Sequence, residues 1–84
     1  MSVNLDQFTT KELQVILNMT VARIIELRIS EQSLKEICEA CESPYPSTDI
    51  DRRVIFERET LDLFRVQLLN AIAEVDRKEF INSN

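Results

Sequence analysis

Apolar side chains recur through the first half of this chain at the spacing of a helix. Leu13, Leu17, Ile24, Leu27, Leu34, Cys38 and Cys41 fall in alternating steps of three and four, with Thr20 and Glu31 filling two positions of the same seam. Val15, Met19, Val21, Ile25 and Ile29 widen the stripe, and a stripe of that width predicts an amphipathic helix facing a core. In the second half, Val54, Leu61, Phe64, Leu68, Ala71 and Val75 keep the same three–four spacing. The pattern predicts two long helices.

Local signals place the ends of these helices. Phe8-Thr9-Thr10-Lys11-Glu12-Leu13 reads as a helix start. With Thr9 as N-cap, Glu12 stands at N3 and completes a capping box, while Phe8 and Leu13 occupy the two positions of a hydrophobic staple. Ser30 offers a second capping position, so a kink or break there is a variant of the same architecture. Ser43-Pro44-Tyr45-Pro46-Ser47-Thr48-Asp49 is the clear breaker. Proline cannot continue a helix and biases its predecessor away from helical angles. Ser47 or Thr48 then caps the second helix, with Asp49 and Asp51 in its first turn, where the helix dipole favours acids.

The sequence therefore predicts one all-α domain over residues 1–84. It comprises a lead-in at 1–8, a helix at 9–42, a turn at 43–47, a second helix at 48–80 and a tail at 81–84. Helices of some 33 residues are about 50 Å long, and a short connection makes them antiparallel neighbours. The second helix carries more apolar surface than one seam uses, namely Ile55, Phe56, Leu63, Val66, Leu69 and Ile72. Val3, Leu5 and Phe8 of the lead-in could cover part of it. Dimerisation into a four-helix bundle through Ile55, Leu63, Val66, Leu69 and Ile72 is the favoured expectation, because eight residues cannot cover so long a face.

Composition narrows the chemistry. Glycine is absent, where about six would be usual in a chain of this length. Glycine-rich phosphate loops are thereby excluded, and all-β folds rich in tight turns are disfavoured. Histidine is also absent, which removes the usual general base at neutral pH and any Ser-His or Cys-His catalytic pair. Net charge is −5: seven acids against four bases through Ser43 give −3, and eight against six beyond it give −2. An acidic chain lacks the basic face that displaces counterions from nucleic acid, so direct nucleic-acid binding is not expected.

No apolar run reaches the length of a membrane span, and Met1–Asp6 lacks the basic and apolar regions of a secretory signal. Two cysteines and no signal point to a reducing, cytoplasmic setting. Cys38-Glu39-Ala40-Cys41 is a lone pair that supplies half a zinc site at most. Both cysteines continue the seam, so they read as small buried hydrophobes, and no metal or cofactor is assigned.

Two acidic groups stand out. Glu36-Ile37-Cys38-Glu39 and Glu59-Thr60-Leu61-Asp62 give the spacing Glu-x-x-Glu followed by Glu-x-x-Asp. That spacing resembles the pattern of all-α nucleotide pyrophosphohydrolases of the MazG/dUTPase type. The resemblance covers these four positions and implies Mg²⁺ held by Glu36, Glu39, Glu59 and Asp62. The helical count sets Glu59 and Asp62 about 8–16 Å along the hairpin from the other two and turns all four away from the helix contact, as befits ordinary solvated surface.

The second group is the hairpin tip. Glu36, Glu39 and Glu42 run toward it, Asp49 and Asp51 stand across the turn, and Tyr45 sits between two prolines at the apex. An aromatic in a rigid turn can anchor a partner. The competing reading is that Tyr45 folds back over the hairpin end and the acids are solvated surface. The favoured functional expectation is a non-enzymatic interaction protein, an adaptor, regulator or phage-type inhibitor, that docks a protein partner through Tyr45, Glu36, Glu39, Glu42, Asp49 and Asp51. A metal-dependent pyrophosphohydrolase is the enzymatic alternative. A nucleic-acid mimic or ligand-sequestering protein is a third reading.

Overall fold

In a computed structural model, residues 4–82 are described, and they form a helical hairpin without strands. A 3-10 turn at Leu5–Gln7 leads into helix α1, Thr10–Ala40, and the chain returns as helix α2, Asp49–Asn82. Val3 of the lead-in and Ser83 and Asn84 of the tail lie outside the described residues.

The start of α1 follows from its first four residues. The Thr9 hydroxyl accepts the Glu12 amide at 3.1 Å, and the Glu12 carboxylate accepts the Thr9 amide at 2.9 Å. Two of the helix's orphan N–H groups are thus satisfied reciprocally. Phe8 packs on the cluster that contains Leu13, so the staple forms as well. The helix runs unbroken through Ser30. Its seam side is continuous there, with Leu27 and Glu31 both buried, and no proline or glycine forces a kink.

The end of α1 is made without glycine. Glu42 takes the left-handed conformation, φ 56°, and donates its amide to the Glu39 carbonyl at 3.1 Å. Ser43 donates to the Cys38 carbonyl at 2.8 Å. These two bonds are a Schellman motif, which normally places glycine where Glu42 stands.

α2 opens with a second capping box. The Thr48 hydroxyl accepts the Asp51 amide at 3.2 Å and the Asp51 carboxylate accepts the Thr48 amide at 3.1 Å. Thr48, not Ser47, is therefore the N-cap.

The two helices pack along the three–four seam. Leu13 and Leu68 are fully buried and form a cluster with Leu17 near the open end. Leu5 and Phe8 from the lead-in, with Phe64, Ala71, Ile72 and Val75 of α2, close around it. Ile24 and Leu27 continue the core toward the tip. Thr20 is buried with its hydroxyl donating to the Ile16 carbonyl at 2.8 Å, so it occupies the seam without an unmet polar group.

The molecule measures 63 × 22 × 14 Å, one helix thick. Each helix therefore has a helical neighbour on one side only. Val15, Met19, Ile25 and Ile29, which widen the sequence stripe, lie outside the contact and are largely exposed, as are Phe56, Leu63, Val66 and Leu69 of α2. Cys41 is exposed as well, because the helix ends at it before the seam can reach another turn. Ile72 belongs to the core cluster rather than to an outer face, and Ile55 is half-buried. No helix of the described residues is long and apolar enough to cross a membrane.

Candidate functional site

The tip is organised by a buried carboxylate. Asp51 is 2 % exposed. Its Oδ2 accepts the backbone amides of Ser47 at 2.9 Å and Thr48 at 3.1 Å, and the Ser47 hydroxyl at 3.3 Å. Cys38 of α1 closes the far side, with Sγ 3.5 Å from Ser47 Oγ and 3.9 Å from Asp51 Oδ2. The Ser47 amide, followed by those Thr48 and Ser47 donors, holds the Asp51 carboxyl below the usual carboxylate range, against the opposing pull of burial. Sequence position puts Asp51 among the partner-facing acids, and its burial corrects that. It fastens the turn to the start of α2 and presents no charge outward. The signal was present in the sequence as Thr48-x-x-Asp51, a capping spacing with a short acid at N3.

Tyr45 does not stand free at the apex. It is half-buried, with Lys35 Nζ 5.6 Å from its ring centroid and its hydroxyl enclosed without a hydrogen-bond partner. Burial raises the phenol pKa, and the negative charges of Glu31 and Asp51 act in the same direction. The tyrosine folds back over the hairpin end, which limits it as an anchor to its exposed edge.

The remaining tip acids are at the surface. Glu36, Glu39, Glu42 and Asp49 are exposed. Asp49 pairs with Arg52 at 3.1 Å. Beside it Arg52, Arg53 and Phe56 line a shallow open depression, so the α2 flank of the tip is mixed in charge and only the α1 flank is a run of acids.

Midway along the hairpin a polar layer interrupts the apolar seam. Glu31, 7 % exposed, receives two hydrogen bonds from the Arg58 guanidinium, at 2.9 and 3.2 Å. Arg58 also donates to Asp62 at 3.0 Å, and Arg28 stands 3.6 Å from the same carboxylate. The bond to Glu31, then the bond to Asp62, raises the pKa of the Arg58 guanidinium, while Arg58 and Arg28 lower that of Asp62. The Arg58–Asp62 pair is legible as an i,i+4 spacing. The fork from Arg58 across to Glu31 is not, because spacing within one helix says nothing about which residue faces it on the other.

This layer decides the fate of the four acids with pyrophosphohydrolase-like spacing. Asp62 is half-buried at the edge of the helix contact and committed to two arginines, rather than pointing away from the contact as its seam count indicates. Glu36, Glu39 and Glu59 remain exposed. Among the described residues no three His, Cys, Asp or Glu side chains gather as they would around a metal ion. The hairpin brings together Asp51, Ser47, Thr48 and Cys38, and it brings together Glu31, Arg58, Asp62 and Arg28. It does not bring together the carboxylates that Mg²⁺ chemistry needs.

The outward apolar side chains are the other surface of note. Phe56, Leu63, Val66 and Leu69 on α2 and Val15, Met19, Ile25 and Ile29 on α1 leave roughly half to three-quarters of their area in solvent. No family model, curated protein or solved structure matches the chain.

Proposed function

We propose that this protein is a small non-enzymatic protein–protein interaction module, an adaptor, regulator or inhibitor that works by helix packing and through the acidic flank of its tip. The observation that carries the reading is the extent of outward apolar surface on a hairpin one helix thick. Contiguous exposed apolar area on a soluble chain marks a contact site more often than chance. Glu36, Glu39 and Glu42 beside it supply a negative edge, which steers a basic partner and sets orientation rather than affinity. A cytoplasmic setting suits the two free thiols, Cys38 and Cys41.

Affinity capture from the native host, with the full chain as bait, tests this. The expected result is a protein partner at defined stoichiometry, weakened at least tenfold by Glu36→Lys with Glu39→Lys and at high salt. Pyrophosphate release from a nucleoside triphosphate that depends on Mg²⁺ and on Glu36 and Glu59 would overturn the reading in favour of catalysis. A partner for which duplex DNA competes would replace it with nucleic-acid mimicry.

A further inference from the structure

The hairpin is too extended for a chain of its mass. Its accessible surface is 6497 Å², whereas a compact monomer of 9.8 kDa has about 5,200 Å². Its radius of gyration is 17.5 Å, against about 12 Å for a compact domain of this length. The surplus area, about 1,300 Å², exceeds the ~800 Å² that each partner contributes to a standard protein interface. The lead-in does not remove it, because Leu5 and Phe8 are already seated on the cluster at the open end.

The ion pairs between the helices mark the two broad faces of the hairpin. Arg28 and Asp62 meet on one broad face, and Arg23 and Glu57 meet at 3.1 Å on the other. Residues seven apart, or three to four apart, share a helix side. Val21 and Ile25 precede Arg28 by seven and three, Val66 and Leu69 follow Asp62 by four and seven, and Ile55 precedes it by seven. The Arg28–Asp62 face therefore carries apolar side chains from both helices, Val21 and Ile25 on α1 and Val66 and Leu69 on α2, with Ile55 nearer the tip and the exposed Gln32, Glu59 and Arg65 among them. Ile25, Val66 and Leu69 are each about half exposed. On the other face the apolar Met19, four before Arg23, and Ile37, seven after Ser30, are exposed but stand on α1 among Arg23, Glu26 and Ser30, while Thr60 and Gln67 of α2 are polar and exposed.

We propose that a second copy of this chain packs on the Arg28–Asp62 face, so that two hairpins form a four-helix bundle about a two-fold axis. Packed helices lie 8–10 Å apart. Stacking a second layer on a plate 22 Å wide and 14 Å thick gives a cross-section of about 22 by 24 Å, the near-square section of a four-helix bundle. The uncovered surface extends over both helices, and a copy of the same hairpin matches it in length and in apolar repeat. An isologous contact is self-complementary by construction. The inference rests on the preceding reading that the outward apolar surface serves packing, and it names one partner as the chain itself.

Sedimentation equilibrium of the purified full chain, paired with melting at several protein concentrations, tests it. The expected mass at tens of micromolar is twice 9.8 kDa, with a Tm that rises with concentration. Val66→Glu with Leu69→Glu weakens association at least tenfold, and Gln67→Glu on the other side leaves it unchanged. If the double variant fails to fold, the wild-type Tm still decides, since a monomer melts at one temperature at every concentration. A wild-type chain that stays monomeric, a folded double variant that stays dimeric, or equal loss in Gln67→Glu overturns the proposal. A monomer that still captures a host protein overturns this inference alone. A dimer that captures none supports it and removes the acidic tip as a docking site.

Discussion

Asp51 shows how one carboxylate can be worth more inside a turn than on its surface. Its charge is met by two backbone amides and a hydroxyl within 3.3 Å, so the ionised form is the one the fold selects. A folded-state pKa below the unfolded value of about 3.9 stabilises the chain at every pH above that value. The contribution disappears as pH falls through the lower, folded pKa. Asp51→Asn should therefore lower the Tm at pH 7, and the gap between the two chains should narrow as pH falls through the folded-state pKa of Asp51. Parallel melting-versus-pH curves for the two proteins would show that the carboxylate does not latch the tip. Glu42 makes the opposite case. It is exposed and sits in left-handed backbone, where a residue with a Cβ costs about 1–2 kcal/mol. Glu42→Gly removes that cost and also an acid from the wrong end of the helix dipole. It should stabilise the hairpin by about 1 kcal/mol in urea titrations, net of glycine's extra unfolded-state entropy.

Each helix owes its place to the other as much as to its own propensity. Isolated helices gain little from hydrogen bonding alone and depend on an apolar face that is covered. The seam covers one face of each, and the polar layer at Glu31 and Arg58 fixes which turns lie opposite. Shifting one helix by a turn would bury Glu31 without its fork. Arg58→Met should cost about 2 kcal/mol, below the value for a fully buried pair because the Arg58 side chain is 24 % exposed. Glu31→Leu with Arg58→Leu should recover most of that loss, since the buried charge goes with its partner. A double variant no more stable than the single one would show that the layer contributes stability and not only register.

The whole molecule is a long plate closed at three places: the lead-in cluster at the open end, the arginine–carboxylate layer in the middle, and the Asp51 turn at the tip. Such a plate should loosen piecewise, because contacts at one end do not reach the other. Phe8→Ala removes half-buried aromatic area from the open end. Amide exchange should then quicken at residues 10–17 and 68–76 and stay unchanged at residues 38–51, whereas Asp51→Asn should do the reverse. Uniform acceleration in either variant would mean that the hairpin opens as one unit.

Much of this architecture was readable along the chain. The three–four apolar spacing, the Thr9–Glu12 capping box and the proline-bounded turn specify two helices and their reversal, because each depends on neighbours within a few residues. Position along a helix also gives the seam, as Leu13, Leu17, Leu68 and Val75 show. What periodicity cannot give is which side of a stripe finds a partner. Val15, Met19 and Ile29 match the helical pattern as well as Leu17 does, and they lie outside because the fold is a single layer. Cross-helix pairing was likewise settled only in three dimensions. Asp51 and Asp62 look like surface acids in sequence; the approach of Cys38 closes the first into the interior, and the Arg58 fork across to Glu31 holds the second half-buried at the helix contact. Local chemistry fixes what a segment becomes, whereas burial and charge pairing depend on residues dozens of positions away.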